Sequence, residues 1–443
     1  MHSTFRTTVA LLASLSVITC SDDKGTNLDD DTDEDPPVVE APDLPGPPAP
    51  PAQPYGTIAY ASGNELRLIE PDGSGDKLVW AAPPVPGQPT LSYTVTGVVW
   101  RRDGGEIGFG SDHEEALSPY KRDVYAIKGD GSNFRKITNA PSREWLDDYP
   151  TGTVTVNVSV GAIGPFFVIV QGAPEPQMIS AGGRLTFTDV ADLGDVAQAV
   201  VATNGADRWI GTAVDVHAGT TADAGLLSIT QFSGIPGYGA DAPFWRADAS
   251  RIAFLGPLCT PQVLPADPPV GFTITALVDE TAFAGMCAAD YGPTPATADE
   301  LLFATVGFDD DGNSFIYHTT EGSTQLPAPL LTFDRYTRIT DVRWLPDGSG
   351  FVVAKQDDLL DEDVNLHEYK FATGQLTRLT DFSFGGEFVR GFSLSPDGQQ
   401  IVFERTDDLV FAGSSDIWIA NRDGSGARLL VADARYPAWN PVP

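Results

Sequence analysis

One stretch of the sequence, residues 394–430, contains four short strand patterns joined by turn residues. The second and third patterns are the runs Ile-Val-Phe at 401–403 and Asp-Ile-Trp-Ile-Ala at 416–420. A Ser-Pro-Asp-Gly turn precedes the second strand, and an Asn-Arg-Asp-Gly turn joins the third strand to the fourth. Proline fixes φ at the first turn position, and the glycine supplies the positive φ that a tight hairpin needs. Because four short strands cannot bury both faces of their own sheet, this unit predicts a repeat architecture.

The same unit recurs, in weaker form, along most of the chain. Its second-strand pattern returns at residues 58–60, 107–109, 252–254, 301–303 and 351–353. The preceding turn returns as Trp-Arg-Arg-Asp-Gly at 100–104, Trp-Arg-Ala-Asp at 245–248 and Trp-Leu-Pro-Asp-Gly at 344–348. Four strands per unit at a spacing of about 50 residues are typical of β-propeller blades. We therefore predict an all-β fold, a six-bladed β-propeller.

The two ends of the repeat region complement each other. The region begins at Gly56 with a second-strand pattern, so the first blade lacks its first strand. Residues 436–441, Tyr-Pro-Ala-Trp-Asn-Pro, have the pattern of a first strand with no second strand after it. We expect this C-terminal strand to complete the first blade, which closes the ring and removes its exposed edges.

The repeat resembles a known family. The motifs W-x-P-D-G at 344–348, I-A-F at 252–254, D-I-W-I-x-x-x-D-G-S-G at 416–426 and R-L-L at 428–430 are similar to the WD-like repeats of TolB-like six-bladed propellers. Propeller domains of prolyl-oligopeptidase relatives share this pattern. The resemblance implies the propeller fold, and by fold analogy alone it suggests a cell-envelope role alongside a Tol-Pal-type system.

Residues 1–55 precede the repeats and form two segments. Residues 1–20 contain Arg6, an apolar run at 9–18 that is too short to span a bilayer, and then Cys20. This order resembles a bacterial lipoprotein signal, which implies a lipid anchor on Cys20 and a place in the bacterial cell envelope, with ordinary secretion and a cytosolic chain as the alternatives. Residues 21–55 carry ten acidic residues, one lysine and a proline-rich stretch, so we expect a disordered tether.

The chain is strongly acidic. Its formal net charge is −34, of which −26 falls on residues 56–443. Such a surface repels phosphate backbones, so we expect no nucleic-acid partner, and we expect a monomer. An oxidising compartment would pair the two remaining cysteines, Cys259 and Cys287, in a disulfide, whereas two buried thiols are the alternative.

An insertion interrupts the repeats between the second and third blades. Residues 56–148 hold blades one and two, and residues 232–443 hold blades three to six with the closing strand. Between them, residues 149–231 show alternating strand patterns at 154–158, 166–170, 184–188, 197–202 and 214–216, which predict a small β-sandwich. Residues 182–190 and 214–219 are similar to the transthyretin-like, carboxypeptidase-regulatory-like sandwich, and an Ig-like sandwich is the alternative.

The sequence contains no clear catalytic motif. A G-x-S-x-G nucleophile elbow is absent, so the hydrolase domain of prolyl-oligopeptidase relatives is not expected. The four histidines after Cys20 are separated in sequence and lack metal-site spacing: His113, His217, His318 and His367. We therefore predict a protein that is not an enzyme, and the alternative is a metal-dependent polysaccharide lyase or hydrolase.

Acidic residues concentrate in the loops that join second and third strands, which all emerge at one end of a propeller. The predicted acidic binding face comprises Asp112, Glu114, Glu115, Asp310, Asp357, Asp358, Asp361, Asp363, Asp407 and Asp408. Within it, Asp309, Asp311 and Asn313 resemble the opening of a calcium loop, although no glutamate follows at the twelfth position. We predict that this face binds a protein or glycan of the cell envelope, with Ca²⁺ as the one candidate cofactor and a solvated acidic rim as the alternative.

Overall fold

The computed structural model of this 443-residue chain describes residues 56–83, 93–115, 118, 120–139, 142–194, 197–204, 207–211, 213–230, 235–236, 241–256, 261–268, 275–277, 286–305, 312–334, 337–356, 363–382, 388–406 and 415–442. These residues form strands β1 to β32 and two short 3-10 helices, Arg143–Asp148 and Pro295–Thr297. The described part of the chain contains no helix that is long and apolar enough to cross a membrane.

Twenty-four of the 32 strands form six four-stranded sheets, named blades 1 to 6. Blade 1 begins with β1 (Ile58–Ser62), β2 (Glu65–Ile69) and β3 (Lys77–Ala81). Blade 2 contains β4 (Val95–Trp100), β5 (Ile107–Ser111), β6 (Asp123–Ile127) and β7 (Arg135–Lys136). The insert contains β8 (Thr151–Gly161), β9 (Phe166–Val170), β10 (Gln177–Ile179), β11 (Gly183–Ala191), β12 (Val200–Thr203), β13 (Asp207–Ile210), β14 (Thr221–Thr230) and β15 (Ile235–Pro236).

The remaining strands follow the insert. Blade 3 contains β16 (Asp241–Trp245), β17 (Arg251–Leu255), β18 (Pro261–Pro265) and β19 (Thr275–Ala276). Blade 4 contains β20 (Met286–Tyr291), β21 (Glu300–Thr305), β22 (Ser314–Thr320) and β23 (Leu331–Phe333). Blade 5 contains β24 (Ile339–Trp344), β25 (Gly350–Gln356), β26 (Val364–Lys370) and β27 (Gln375–Arg378). Blade 6 contains β28 (Phe388–Leu394), β29 (Gln400–Thr406), β30 (Ser415–Asn421) and β31 (Arg428–Val431), and the chain ends with β32 (Arg435–Trp439).

The last strand belongs to the first sheet. β32 pairs antiparallel with β1, which gives blade 1 the order β3-β2-β1-β32. The innermost strands then touch in a closed sequence, β32 to β4, β16, β20, β24, β28 and back to β32. The all-β propeller prediction is confirmed.

The apolar core explains why the blades need one another. Six clusters of buried residues each join one blade to the next, and the sixth joins blade 6 to blade 1. Trp100 packs between blades 1 and 2, Trp245 between blades 2 and 3, and Trp439 between blades 6 and 1. A single blade would leave such faces in water, so burial of these faces stabilises the ring as a whole.

The predicted hairpin chemistry is visible in the turns. Gly348, Gly398 and Gly424 have φ of 74°, 66° and 82°, the left-handed region in which a side chain would be strained. In each turn the preceding aspartate accepts a hydrogen bond from the backbone N–H two residues later, as in Asp347 Oδ1 with Ser349 at 2.9 Å. The repeated Asp-Gly pairs therefore serve as turn residues.

The insert has its own core. Strands β8, β11 and β14 form one sheet, strands β10, β9, β12, β13 and β15 form the other, and both contribute to one apolar cluster that includes Phe166 and Trp209. The predicted strand at 214–216 makes only an isolated bridge, Gln198 to Val214, whereas β14, which the patterns missed, pairs in parallel with β8. Resemblance to a transthyretin-like or an Ig-like sandwich stays a prediction.

The central channel has two chemically different ends, defined by the connections of the blades. The turns between first and second strands lie at one end, called the tight-turn end. The loops between second and third strands lie at the other, called the long-loop end. The insert contacts the long-loop end, because the buried Arg208 of β13 donates hydrogen bonds to the backbone oxygens of Ser118 at 2.9 Å and Glu115 at 3.4 Å.

Candidate functional site

A pocket of about 350 Å³ opens at the long-loop end, where blades 6, 1 and 2 meet. Its walls comprise Ala61, Gly63, Thr94, Val95, Thr96, Arg122, Ser415, Asp433, Arg435 and Tyr436. The two arginines come from different blades, because Arg122 directly precedes β6 and Arg435 begins β32. Guanidinium groups are planar, permanently charged donors that suit carboxylates. Against the single carboxylate of Asp433, the two arginines leave the pocket wall with a net positive charge, which suits a small anion.

The backbone of this pocket is held in an unusual conformation. Asp433 and Tyr436, both in its wall, have φ of 52° and 54°, a region that residues with a side chain seldom occupy. A hydrogen bond from the Tyr436 N–H to Glu404 Oε2, 3.1 Å long, holds the second of them. Strained residues persist where the surrounding structure holds them and often mark functional sites. Of the two described pockets, this is the one that has such residues in its wall.

The wall of the pocket also contains a polar group without a partner. Ser415 begins β30 and is 3% exposed, and its hydroxyl has no hydrogen-bond partner among the described residues. Leaving a buried hydroxyl unsatisfied costs free energy. A ligand oxygen in the pocket would satisfy it.

A smaller cavity of about 210 Å³ lies at the tight-turn end and is lined by all six blades. Four repeat tryptophans line it: Trp100, Trp245, Trp344 and Trp439. Five prolines, which come from the repeat turns and the C-terminal strand, line it as well: Pro293, Pro346, Pro396, Pro437 and Pro441. The repeat motifs do not predict a cavity at this end of the channel.

Ion pairs organise the tight-turn cavity. Arg102 of blade 2 donates from Nη2 to Asp290 of blade 4, at 3.0 Å to Oδ1 and 3.2 Å to Oδ2. Arg343 of blade 5 donates from Nε to Asp341 Oδ2 at 3.1 Å. Burial opposes the charge of Arg343, but the nearby carboxylates of Asp341 and Asp290 raise its pKa, so it is fully charged. Both arginines line the cavity.

Side chains satisfy backbone groups that the innermost strands leave unpaired. Asp290 Oδ2 accepts from the N–H of Trp344 at 3.1 Å, and Asp341 Oδ2 accepts from that of Phe392 at 3.1 Å. The Ser393 hydroxyl accepts from the N–H of Trp439 at 3.0 Å. Because an innermost strand has a sheet neighbour on one side only, these bonds join successive blades along the channel. Sequence reasoning missed them.

The first predicted acidic loop is not an open binding surface. Glu114 is 8% exposed, and its Oε2 lies 2.9 Å from Lys136 Nζ and 3.0 Å from the Tyr125 hydroxyl. Lys136 also lies 3.0 Å from the buried Asp123. Burial disfavours the ammonium group, yet the two carboxylates raise the pKa of Lys136. Assignment of Glu114 to the acidic face was therefore wrong, since it belongs to a buried ion cluster.

The other two residues of that loop are partly engaged. Asp112 Oδ1 accepts from the backbone N–H of Thr94 at 2.6 Å. Burial raises the pKa of Glu115, although the charge of Arg208 in the insert acts in the opposite direction. Asp112 and Glu115 are both half-buried, so neither of them contributes to an exposed acidic rim.

Most of the remaining predicted sites lie outside the described residues. These are Cys20, Cys259, Asp309, Asp310, Asp311, Asp357, Asp358, Asp361, Asp407 and Asp408. Asn313 and Asp363 are described and half-buried, and Cys287 lies in β20. The disulfide, the lipid anchor and the calcium site therefore stay predictions.

The described histidines lie in separate environments. His113 packs against Tyr125 with ring centroids 4.6 Å apart, and burial lowers its pKa. His318 Nε2 lies 2.9 Å from Glu300, and His367 Nδ1 lies 3.2 Å from the Asn365 backbone oxygen. Across the ranges that the structure describes, no three His, Cys, Asp or Glu side chains form a group able to hold a metal ion.

Comparison with known proteins gives similarity of fold. No protein-family model and no curated protein sequence matches the chain. Among solved structures, TolB from Acinetobacter baumannii is similar at 14% identity and a TM-score of 0.48, over 87% of this chain and 66% of that one. An oligogalacturonate lyase in complex with manganese is similar at 12% identity and a TM-score of 0.36, over 86% and 85% of the two chains. A GH74 enzyme from Niastella koreensis is similar at 11% identity and a TM-score of 0.37, over 86% and 47%. Likenesses at these values do not decide what this protein binds or whether it is an enzyme.

Proposed function

We propose that this protein is a non-enzymatic binding scaffold of the cell envelope that holds a carboxylate of a protein partner in the long-loop pocket. The observation that carries the proposal is the convergence of Arg122, Arg435 and the unpartnered Ser415 hydroxyl in one pocket between three blades. A carboxylate has two acceptor oxygens, which match a guanidinium donor and a hydroxyl donor together.

The size of the pocket limits what enters it. A volume of about 350 Å³ lies at the small end of the ~300–1,000 Å³ typical of ligand sites. The pocket accommodates an acidic side chain, or a C-terminal carboxylate with the residue next to it. The rest of a folded partner would lie outside the pocket, on the surrounding loops and on the insert. Arg208 holds the insert against the loop that leads to Arg122, so a partner bound at the pocket would contact both the insert and this loop.

The charge of the protein favours a short acidic segment over an acidic polymer. Residues 56–443 carry a net charge of −26, which repels polyanions over about 8–10 Å at ordinary salt. A single carboxylate in the pocket is attracted by the two nearby arginines, and with one charge it is repelled less by the net charge of the protein than a polyanion is. The protein partner is therefore proposed ahead of an acidic glycan.

The proposal also covers where in the cell the protein is located. The lipoprotein-like signal with Cys20 supports attachment to the envelope membrane, and the acidic stretch at 29–35 supports a solvated spacer between membrane and propeller. A Tol-Pal-type role rests on fold analogy, and no observation on the described residues favours a polysaccharide lyase or hydrolase over binding.

Binding of short peptides with one Asp, Glu or C-terminal carboxylate, measured against amidated copies, tests the pocket. We expect the acidic peptides alone to bind, and Arg435→Gln to weaken them about 10- to 100-fold, the value of one charge-assisted hydrogen bond. Arg184→Gln, on the exposed surface of the insert, is the matched control and should bind as the native protein does. Equal binding of amidated peptides, or tighter binding of an oligouronate, would contradict the proposal.

A further inference from the structure

The tight-turn cavity has a local excess of positive charge. Three charged residues line this cavity of about 210 Å³: Arg102 of blade 2, Asp290 of blade 4 and Arg343 of blade 5. Two positive charges against one negative charge contrast with the net charge of −26 over residues 56–443. Charges within a few ångströms act more strongly than a distant surface charge, which ordinary salt screens over about 8–10 Å. The cavity wall therefore attracts a small anion, although the protein as a whole is acidic.

Each of the two arginines uses only part of its guanidinium group for contacts within the protein. Arg343 donates from Nε to Asp341 Oδ2 at 3.1 Å, and its two Nη atoms have no hydrogen-bond partner among the described residues. Arg102 donates from Nη2 to the Asp290 carboxylate and, at 3.3 Å, to the backbone oxygen of Tyr291. Its Nε and Nη1 have no partner in that same part of the chain. Because a guanidinium group has five N–H donors, both arginines keep donors for a ligand.

The two guanidinium groups reach the cavity from different sides of the channel. In the closed sequence of innermost strands, two blades separate blade 2 from blade 5 in either direction, so these blades lie opposite each other. The side chains of Arg102 and Arg343 are 25% and 30% exposed, and both line the cavity. An anion in the cavity would thus have N–H donors on two sides.

We infer that the tight-turn cavity binds a small tetrahedral oxyanion, of the size of inorganic phosphate or sulfate, between Arg102 and Arg343. Guanidinium groups bind such oxyanions through paired, charge-assisted hydrogen bonds. A volume of about 210 Å³ is below the ~300–1,000 Å³ typical of larger organic ligands, and it has room for a five-atom anion with a few water molecules.

The arrangement of the donors favours a tetrahedral oxyanion over a simple carboxylate. A tetrahedral oxyanion has four oxygens, which accept from Arg102 and Arg343 at the same time, whereas the two oxygens of a carboxylate are occupied by one guanidinium group. A metal cation is disfavoured, because the same two arginines would repel it. This site lies at the opposite end of the channel from the long-loop pocket and does not depend on the proposed function.

Isothermal titration calorimetry of the full chain with sodium phosphate tests the site. We expect one phosphate ion to bind per chain, sulfate to bind similarly, and acetate to bind at least about tenfold more weakly. Sodium chloride keeps the ionic strength constant, so that general screening of charge does not change during the titration. Absence of phosphate binding to the native protein would overturn the inference.

Substitutions of Arg343 locate the ion. Arg343→Met should weaken phosphate binding at least about tenfold, because it removes one of the two donor groups. Arg343→Lys keeps a positive charge beside Asp341 but lacks the planar guanidinium fork, so it should weaken binding about threefold. Circular dichroism verifies that both variants fold, and the lysine variant decides the question if the methionine variant does not. Unchanged phosphate binding in the folded variants would overturn the inference.

A matched control separates the two ends of the channel. Arg435→Gln, in the long-loop pocket, should bind phosphate as the native protein does. Loss of phosphate binding in Arg435→Gln, with binding kept in Arg343→Met, would place the ion in the long-loop pocket and would overturn the inference. The acidic peptides that test the proposed function should bind Arg343→Met as they bind the native protein, so either proposal can fail without the other.

Discussion

Arg102 Nη2 of blade 2 and the carboxylate of Asp290 in blade 4 meet at 3.0 and 3.2 Å across the tight-turn end of the channel, past the intervening blade 3. The same carboxylate accepts the N–H of Trp344 in blade 5, so one buried aspartate connects three blades. Local turns and apolar faces build each blade. The Arg102–Asp290 contact and the similar side-chain hydrogen bonds between blades fix the positions of the innermost strands around the channel.

We expect Asp290→Ala to destabilise the propeller by about 1–3 kcal/mol, because the Trp344 N–H and the Arg102 guanidinium lose their acceptor in a largely buried place. Chemical denaturation measures the change, and Arg102→Ala in the Asp290→Ala background should cost less than Arg102→Ala alone. Asp299→Ala, an exposed aspartate nearby, is the control. Additive effects of the Arg102 and Asp290 substitutions would show that the two residues are not coupled.

Lys136→Met should be among the most destabilising single substitutions in blade 2, at about 3–5 kcal/mol, because it leaves the buried carboxylates of Glu114 and Asp123 without their counter-charge. Lys128→Met, on the exposed end of the neighbouring strand, should have little effect. A Glu114→Gln partner change should recover part of the loss.

The same cluster predicts a pH dependence. The pKa of Lys136 is raised in the folded protein, so its contribution to stability is complete below the ordinary lysine value of about 10.4 and is lost as the pH rises through the folded value. The stability difference between the native protein and Lys136→Met should thus be constant near neutral pH and shrink above about pH 10.4. A difference that already shrinks between pH 6 and 9 would contradict this assignment of charge.

Deleting residues 434–443 should cost at least about 3–5 kcal/mol, the usual cost of removing a buried tryptophan alone, because it removes β32 with Trp439 and exposes the edge of β1. Removing only residues 442–443 should leave the melting temperature nearly unchanged. An unchanged melting temperature in the longer deletion would show that the ring does not depend on its last strand.

Replacing residues 151–236 by a short Gly/Ser linker should leave a folded propeller, because the insert has its own apolar core. The cut extends past 231 because β15 pairs with β13 of the insert. Circular dichroism and melting follow the outcome, and we expect a modest loss of stability as the loop at 112–122 loses Arg208. Failure of this variant to fold would mean that the propeller requires the insert.

The sequence predicted those features whose cause lies within one repeat. The Pro-Asp-Gly sequence shared by the turns at 344–348 and 395–398 specifies a local backbone conformation, so these turns and the strands after them could be predicted directly. The complementary ends of the repeat region likewise indicated the pairing of β1 with β32. In these places neighbouring residues fix the backbone, and the pattern carries the information.

The site residues depend on contacts between distant parts of the chain. Asp290 stands in a Met-Cys-Ala-Ala-Asp-Tyr strand without a repeat turn nearby, and its partner Arg102 is 188 residues away. Glu114 looked like one more acidic loop residue because nothing in the spacing relates it to Lys136. In strand β14, five of the ten residues are Ala, Gly, Ser or Asp, which have low strand propensity, and the strand forms because β8 offers it an edge.

The position of β1 within its sheet determines how the molecule would carry mechanical load. Any pull on the chain before Gly56 acts on β1, which is held by the β2 ladder on one side and by the β32 ladder on the other. Detaching it requires two sets of backbone hydrogen bonds to yield together, whereas an outermost strand would peel away one bond at a time. The C-terminal strand therefore adds a second ladder of hydrogen bonds that must break before the attachment point of the preceding segment comes away.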